Sequence, residues 1–157
     1  MPRHQKDRII FRPPVFTDFK PVGVRNNLLN KISLTIDEYE AIRLADYFGN
    51  EHLEAAKKME ISRSTFTRLI KNAHKKIAEF FIEGKTLQIN GGNIHFRENI
   101  IKCYSCGYMF TENFENKITK CPSCGSENLN DLAKGFGHGE CCQNRGRGRG
   151  RGRGRKR

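Results

Sequence analysis

Two short cysteine motifs place the tightest limit on what this chain can fold into. Cys103-Tyr-Ser-Cys106-Gly107 and Cys121-Pro-Ser-Cys124-Gly125 repeat one pattern. In each, the two-residue gap lets both thiolates face a single ion, and the glycine after the second cysteine lets the backbone turn beneath the sulfurs. The spacing predicts a small four-cysteine ribbon over residues 100–132, with Cys103, Cys106, Cys121 and Cys124 as ligands. Four thiolates suit Zn²⁺ in a closed tetrahedral site that leaves no position for water, which favours a structural over a catalytic role. Iron of the rubredoxin type uses the same two pairs, so the identity of the metal stays open. A redox dithiol would need a βαβ setting, which the pattern lacks. Tyr108, Phe110 and Phe114 are the expected apolar patch beside the metal.

A chain of 157 residues has room for one domain or two very small ones. Units of that size need long helices or a metal to make up for a small core. The formal net charge of +12 points toward a polyanion. Its placement matters more than its size. Residues 145–157 carry eight cations and no acid, which leaves only +4 for residues 1–144. The motifs must therefore carry any claim of nucleic-acid binding by the body. No apolar run is long enough to span a bilayer, and the opening MPRHQKDRII has no apolar stretch ending in a cleavage site. Together with cysteines spaced for metal rather than for disulfides, this predicts a cytoplasmic protein without a membrane partner.

Five segments follow from the composition. Residues 1–33 form a basic arm whose prolines, at positions 2, 13, 14 and 21, favour extended structure. Residues 34–84 are the helical core. Residues 85–99 alternate weakly around Gly91-Gly92, the pattern of a short hairpin. This gives a domain over residues 34–99 with a short β extension, then the ribbon over 100–132. Residues 133–157 are a Gly-rich, then Arg-Gly segment with almost no apolar side chains, read as disordered.

The first helix begins at a capping box, Thr35-Ile36-Asp37-Glu38, in which the threonine hydroxyl accepts a first-turn N–H and Glu38 reaches back. Ile36, Tyr39, Ile42, Ala45 and Phe48 follow helical spacing, and Gly49 is a natural stop. A second helix covers residues 52–59, with Ala55, Ala56 and Met59 buried. A third starts after Ser62, a good N-cap. From there Phe66, Leu69, Ile70, Ala73, Ile77, Phe80 and Phe81 recur at three- and four-residue steps as far as Gly84. The join between the last two helices fits a helix-turn-helix, with a small Ala56 at the close approach and Met59, Ile61, Phe66 and Leu69 around a tight turn. One position departs: Glu60 stands where glycine is usual. A left-handed glutamate there would cost about 1–2 kcal/mol, so a differently shaped turn is the alternative.

With those apolar residues buried, the outer face of the third helix shows Arg63, Ser64, Thr67, Arg68 and Lys71. Arginine reads guanine bidentately, and serine or threonine contacts bases or phosphates. Residues near the start of such a helix enter the major groove. Lys75 and Lys76 lie farther along, at phosphate reach, and the start of the second helix offers a further phosphate contact. Asp37, Glu38 and Glu40 read as helix-start carboxylates suited to the dipole. The fold class expected is mainly α: a three-helix helix-turn-helix domain, a small β zinc ribbon and a disordered Arg-Gly tail.

These residues carry two resemblances. The stretch from LTIDEYEAIRLAD to SRSTFTRLIKNAHKKIAE is similar in pattern to the last DNA-binding region of bacterial sigma factors. MPR, FKPVG, EYEAIRLAD, SRSTFTRLI and EGKTLQINGG resemble an uncharacterised family of archaeal and bacterial predicted DNA-binding proteins, over roughly residues 1–92. The resemblance implies a helix-turn-helix of the sigma-region-4 kind and a regulatory role. It carries over Arg63, Ser64, Thr65, Thr67 and Arg68 as DNA-reading candidates.

In the last segment His138, Cys141 and Cys142 come close in sequence. They read either as incidental soft ligands or as a weak second metal site, and adjacent cysteines count against a tight one. Arg-Gly repeats bind RNA or single strands with little sequence preference. The leading expectation is a sequence-specific double-stranded DNA-binding protein, a transcriptional regulator. Alternatives are an RNA-binding or ribosome-associated protein that uses the ribbon and tail, and an adaptor on the transcription machinery. A homodimer is compatible with Phe80, Phe81 and Ile82, which serve either an interface or the core. No Ser-His-Asp layout, phosphate loop or open metal site suggests an enzyme.

Overall fold

The computed structural model describes residues 7–136. The Arg-Gly repeat and His138, Cys141 and Cys142 lie outside the described residues. In chain order the elements are β1 (Arg8–Ile10), β2 (Asp18–Phe19), β3 (Lys31–Leu34), α1 (Ile36–Ile42), α2 (His52–Lys58), α3 (Arg63–Glu83), β4 (Thr86–Ile89), β5 (Ile94–Phe96), β6 (Asn99–Cys103), β7 (Met109–Glu112), β8 (Leu129–Asp131) and a short α4 (Leu132–Gly135). A 3₁₀ turn covers Asn26–Leu28, and α1 runs on into a π turn over Arg43–Tyr47.

The expectation of a mainly α fold is corrected. Three small sheets make this a mixed α/β protein. The arm is the source of the difference. Its extended pieces do not stay apart from the helices. β1 pairs in parallel with β5, and β4 lies between β2, antiparallel to it, and β3, parallel to it. A parallel pair cannot be joined by a tight turn and needs a crossover. Here the crossover from β3 to β4 is α1, α2 and α3 together, so the three-helix unit stands on a sheet made from the segments before and after it. Strands of two to four residues interrupted by prolines leave little alternation to read.

The hairpin expected around Gly91-Gly92 is also absent. β4 already has a neighbour on each edge, so β5 turns away and pairs with β1. Gly92 sits at φ +101°, and a Cβ there would lie 3.2 Å from Asp37 Oδ1. This glycine lets the loop close against the start of α1.

The helices begin and end where their local chemistry places them. Glu38 N–H donates to Thr35 Oγ1 and Thr35 N–H donates to Glu38 Oε2, which completes the capping box. Ser62 Oγ accepts from the N–H of Thr65, and Gly84, left-handed at φ 63°, closes α3. Ala41, Ala55, Ala56, Met59, Phe66, Ile70 and Ala73 are buried where the helices meet, and Leu34, Leu87, Ile89, Ile10 and Phe96 bring the strands into the same core. Glu60 is the one non-glycine residue of positive φ, at 54°, among those described. The turn thus keeps the standard left-handed shape and accepts the strain.

Asp37, Glu38 and Glu40 are buried, which the helix-dipole reading missed. Each has its own cation. Asp37 pairs with Arg8 of β1, Glu38 with Lys76 of α3 at 2.7 Å, and Glu40 bidentately with Arg43 at 2.7 Å. Glu40 also accepts from the Phe11 N–H at 3.2 Å. Buried carboxylates held this way fix the arm and α3 to α1, and each would be costly if left unpaired.

Candidate nucleic-acid interface and metal centre

The outer face of α3 is built by subtraction. Phe66, Leu69, Ile70 and Ala73 are drawn inward, leaving Arg63, Ser64, Thr67, Arg68, Lys71 and Lys75 exposed on the other side. None of Arg63, Arg68, Lys71 and Lys75 has a carboxylate partner among the described residues. No acid occurs in α3 before Glu79, so this half of the helix presents one sign of charge.

Two residues stand differently from the rest. Thr65 is half-buried, and its hydroxyl lies 2.7 Å from Ser62 Oγ within the N-cap network. Lys76, expected near phosphates, is instead turned onto Glu38. Thr67 Oγ1 is 3.1 Å from His52 Nδ1, and the His52 ring meets Phe66 edge-on with centroids 5.3 Å apart. His52 therefore ties the start of α2 to the outer face of α3. Nothing in its sequence position marked it. A cleft of about 490 Å³ beside Thr65, Arg68 and Asn72 is walled by Arg8, Thr35, the paired carboxylates Asp37 and Glu38, and the Gly92-Asn93 loop, so α3 is flanked by the arm, the start of α1 and the glycine turn. Farther along α3, Phe80 packs on the core while Phe81 and Ile82 stay 73% and 86% exposed.

The metal centre stands on the third sheet, in which β6 lies between β7 and β8. Each cysteine pair forms a turn. The Gly107 N–H donates to the Cys103 carbonyl at 2.9 Å, and the Gly125 N–H to the Cys121 carbonyl at 2.8 Å. Both glycines have positive φ, 76° and 73°, which a side chain would oppose. Ser105 and Ser126 join the two turns at 2.8 Å. The four sulfurs lie within 4.8 Å of one another, with Cys103 to Cys124 at 3.6 Å and Cys106 to Cys121 at 3.7 Å. A tetrahedral ion with bonds of about 2.3 Å to sulfur spaces its ligands by about 3.8 Å. The thiols are thus close enough together to hold a metal ion such as zinc.

The thiols of the cluster differ in how easily they ionise. The Cys103 thiol is pulled down to about 6, first by the backbone N–H of Cys106 and further by that of Ser105, against burial. The Cys124 thiol is pushed up to about 12: the Ser126 N–H lowers it, but burial and the other three sulfurs outweigh that donor. Backbone donors thus favour one thiolate, while burial and the neighbouring sulfurs oppose a further one. Tyr108 and Phe110 stack with ring centroids 5.9 Å apart, and Tyr108 and Phe114 both lie partly exposed at the surface.

The ribbon is joined to the rest by named contacts. Asn99 Nδ2 donates to Asp131 at 2.6 Å, and its Oδ1 accepts the Ala133 N–H at 3.0 Å. Ala133 is buried in the main core, and Phe136 packs on Phe96. Arg12 of the arm donates to Thr111 of β7 at 3.1 Å. No helix among the described residues is long and apolar enough to cross a membrane.

Comparison with other proteins adds a family. The family model described as protein of unknown function DUF134 matches residues 1–97, which hold the arm, the three helices and β1 to β5. A UPF0251 protein of Chloroherpeton thalassium is 47% identical over 149 residues, 93% of this chain and 99% of its own length, so that likeness runs through the ribbon. A UPF0251 protein of Pelotomaculum thermopropionicum is 40% identical, covering 80% of this chain and 95% of its own. Another, from Chlorobaculum tepidum, is 39% identical over 88% of this chain and 72% of its own. No solved structure matches the chain.

Proposed function

The chain belongs to the DUF134 family of bacterial UPF0251 proteins, and from that premise we propose that it is a sequence-specific double-stranded DNA-binding protein that regulates transcription in the cytoplasm. The observation that carries this reading is the α2–turn–α3 unit whose outer α3 face exposes Arg63, Arg68, Lys71 and Lys75, none of them in an ion pair among the described residues. Ordinary solvated helix faces mix signs, whereas this one holds Arg63, Arg68, Lys71 and Lys75 without an acid before Glu79. In this account Arg63 and Arg68 read base edges, Ser64 and Thr67 contact bases or phosphates, and Lys71 and Lys75 meet the backbone. Thr65 acts by holding the N-cap, which sets where the helix starts.

The ribbon is a zinc site of structural type that braces the α3 unit through β6 and α4. Its own surface is not basic. Residues 99–131 carry three lysines against four acids, so the alternative of RNA binding rests on the Arg-Gly tail alone. Competition at fixed salt between duplex DNA and RNA, for the full chain and for a chain ended at Asn144, separates the two. Under the DNA reading the shortened chain keeps its sequence preference and shows a shallower salt dependence. Loss of all binding would transfer the function to the tail.

A further inference from the structure

A cleft of about 420 Å³ opens between β1, the π turn after α1 and the end of α2. Its volume is in the range of small-ligand pockets, about 300–1,000 Å³. Ile9, Phe11 and Phe48 give it apolar walls, and Asn50, Lys58 and Arg97 supply its polar groups. Arg43 lies against the Phe11 and Phe48 rings, 5.2 and 5.0 Å from their centroids, so the wall is a stack of flat groups. A second cleft of about 530 Å³, reaching to Met109 and Phe110 of β7, shares Arg43 and Phe48.

The charge balance of the first cleft is uneven. Its one carboxylate, Glu40, already accepts from Arg43 and from the Phe11 N–H. Among the described residues the carboxylate partner of Arg97 is Glu60, at 3.9 Å, and that of Lys58 is Glu54, at 3.4 Å, all four side chains being well exposed. Pairs of that kind bind weakly. Asn50 Nδ2 is buried and has no acceptor among the described residues, an arrangement native proteins rarely leave without a purpose. Two loosely held cations, an orphan donor and stacked aromatic walls share one chemistry.

We propose that this cleft binds a small flat anion, with its acidic group at Arg97, Lys58 and Asn50 and its apolar body against Phe11 and Phe48, and that the ligand acts on the helix-turn-helix turn. The connection is short. Arg97 Nη2 lies 3.5 Å from the Lys58 carbonyl and faces Glu60, the left-handed residue of the turn. The Ile9 N–H donates to the Met59 carbonyl at 3.1 Å. An anion that engages Arg97 withdraws it from the turn that sets how α3 is presented. A ligand shifts such an equilibrium only through different affinity for the two arrangements, and Arg97 supplies that difference. The effect on DNA rests on the function proposed above. The site itself does not.

The test uses the full chain and anilinonaphthalene sulfonate, an aromatic anion with a flat naphthalene face that fluoresces when bound, beside its uncharged analogue phenylnaphthylamine. The sulfonate is expected to saturate one site per chain and to bind at least tenfold more tightly than the analogue. Arg97→Ala and Asn50→Ala should each weaken it about tenfold with unchanged melting curves. Arg97→Lys should recover most of the loss, and Lys31→Ala, outside the cleft lining, should leave probe binding unchanged. Equal binding of the uncharged analogue, or full affinity in folded Arg97→Ala, overturns the site. Duplex affinity is then measured with and without saturating probe. A change of at least threefold that disappears in Arg97→Ala is expected, and an unchanged affinity overturns the action on the turn. A chain that binds no duplex even without probe refutes the DNA reading and leaves the probe result standing.

Discussion

Lys76 Nζ donates to Glu38 Oε2 at 2.7 Å, so a lysine in the middle of a cationic helix faces inward and serves the fold instead of a polyanion. Its neighbour Lys75 is exposed and has no carboxylate partner among the described residues. Adjacent lysines of equal charge therefore have opposite duties. Lys76→Ala leaves the buried Glu38 without its cation, held by the Thr35 N–H alone among the described residues, and should cost about 1–3 kcal/mol in denaturant unfolding, with little change in the salt dependence of DNA binding. Lys75→Ala should leave stability within about 0.5 kcal/mol and lower the salt slope by about 1.

Glu60 holds a backbone conformation that glycine adopts without penalty. Its weak pair with Arg97, between half-exposed groups 3.9 Å apart, offers little in return. Glu60→Gly should therefore raise stability by about 1 kcal/mol, read as a higher denaturant midpoint at unchanged slope. A loss of stability would mean that the left-handed glutamate is not strained.

One zinc ion per chain is expected from elemental analysis of the purified protein, with little iron. Cys121→Ser should lower the zinc content well below one. Removing the ion should abolish the β6–β8 sheet, because three short strands have too little core to persist alone. Most helical circular dichroism should remain, since α1, α2 and α3 pack on a core that includes only Ala133 and Phe136 from beyond β6. A full complement of zinc in Cys121→Ser would contradict the four-thiolate site.

The sequence made the local features legible and hid the long-range ones. The capping box at Thr35, the N-cap at Ser62, the stop at Gly84 and the paired cysteine turns each depend on residues a few positions apart, and all are present. The sheets depend on partners such as Lys31 with Thr86 and Arg8 with Ile94, brought together only by the helices between them. Strands this short carry no pattern of their own, so the arm looked separate and the fold mainly α. The burial of Asp37, Glu38 and Glu40 was hidden for the same reason. Two of their cations, Arg8 and Lys76, lie far along the chain. The face of α3 was readable because a period of 3.6 sorts inward from outward residues without knowledge of what lies inside. Thr65 and Lys76 depart from that sorting through hydrogen bonds that period alone does not reveal.

Selection from a pool of random duplexes, with the intact chain and then with Arg63→Ala and Arg68→Ala, is the most direct measurement of the central claim. The account predicts an enriched motif for the intact chain, and for each variant a loss of about 1–3 kcal/mol on that motif, with relaxed preference at one base position. Selection that enriches no sequence, or variants that bind the motif with undiminished affinity, would contradict it.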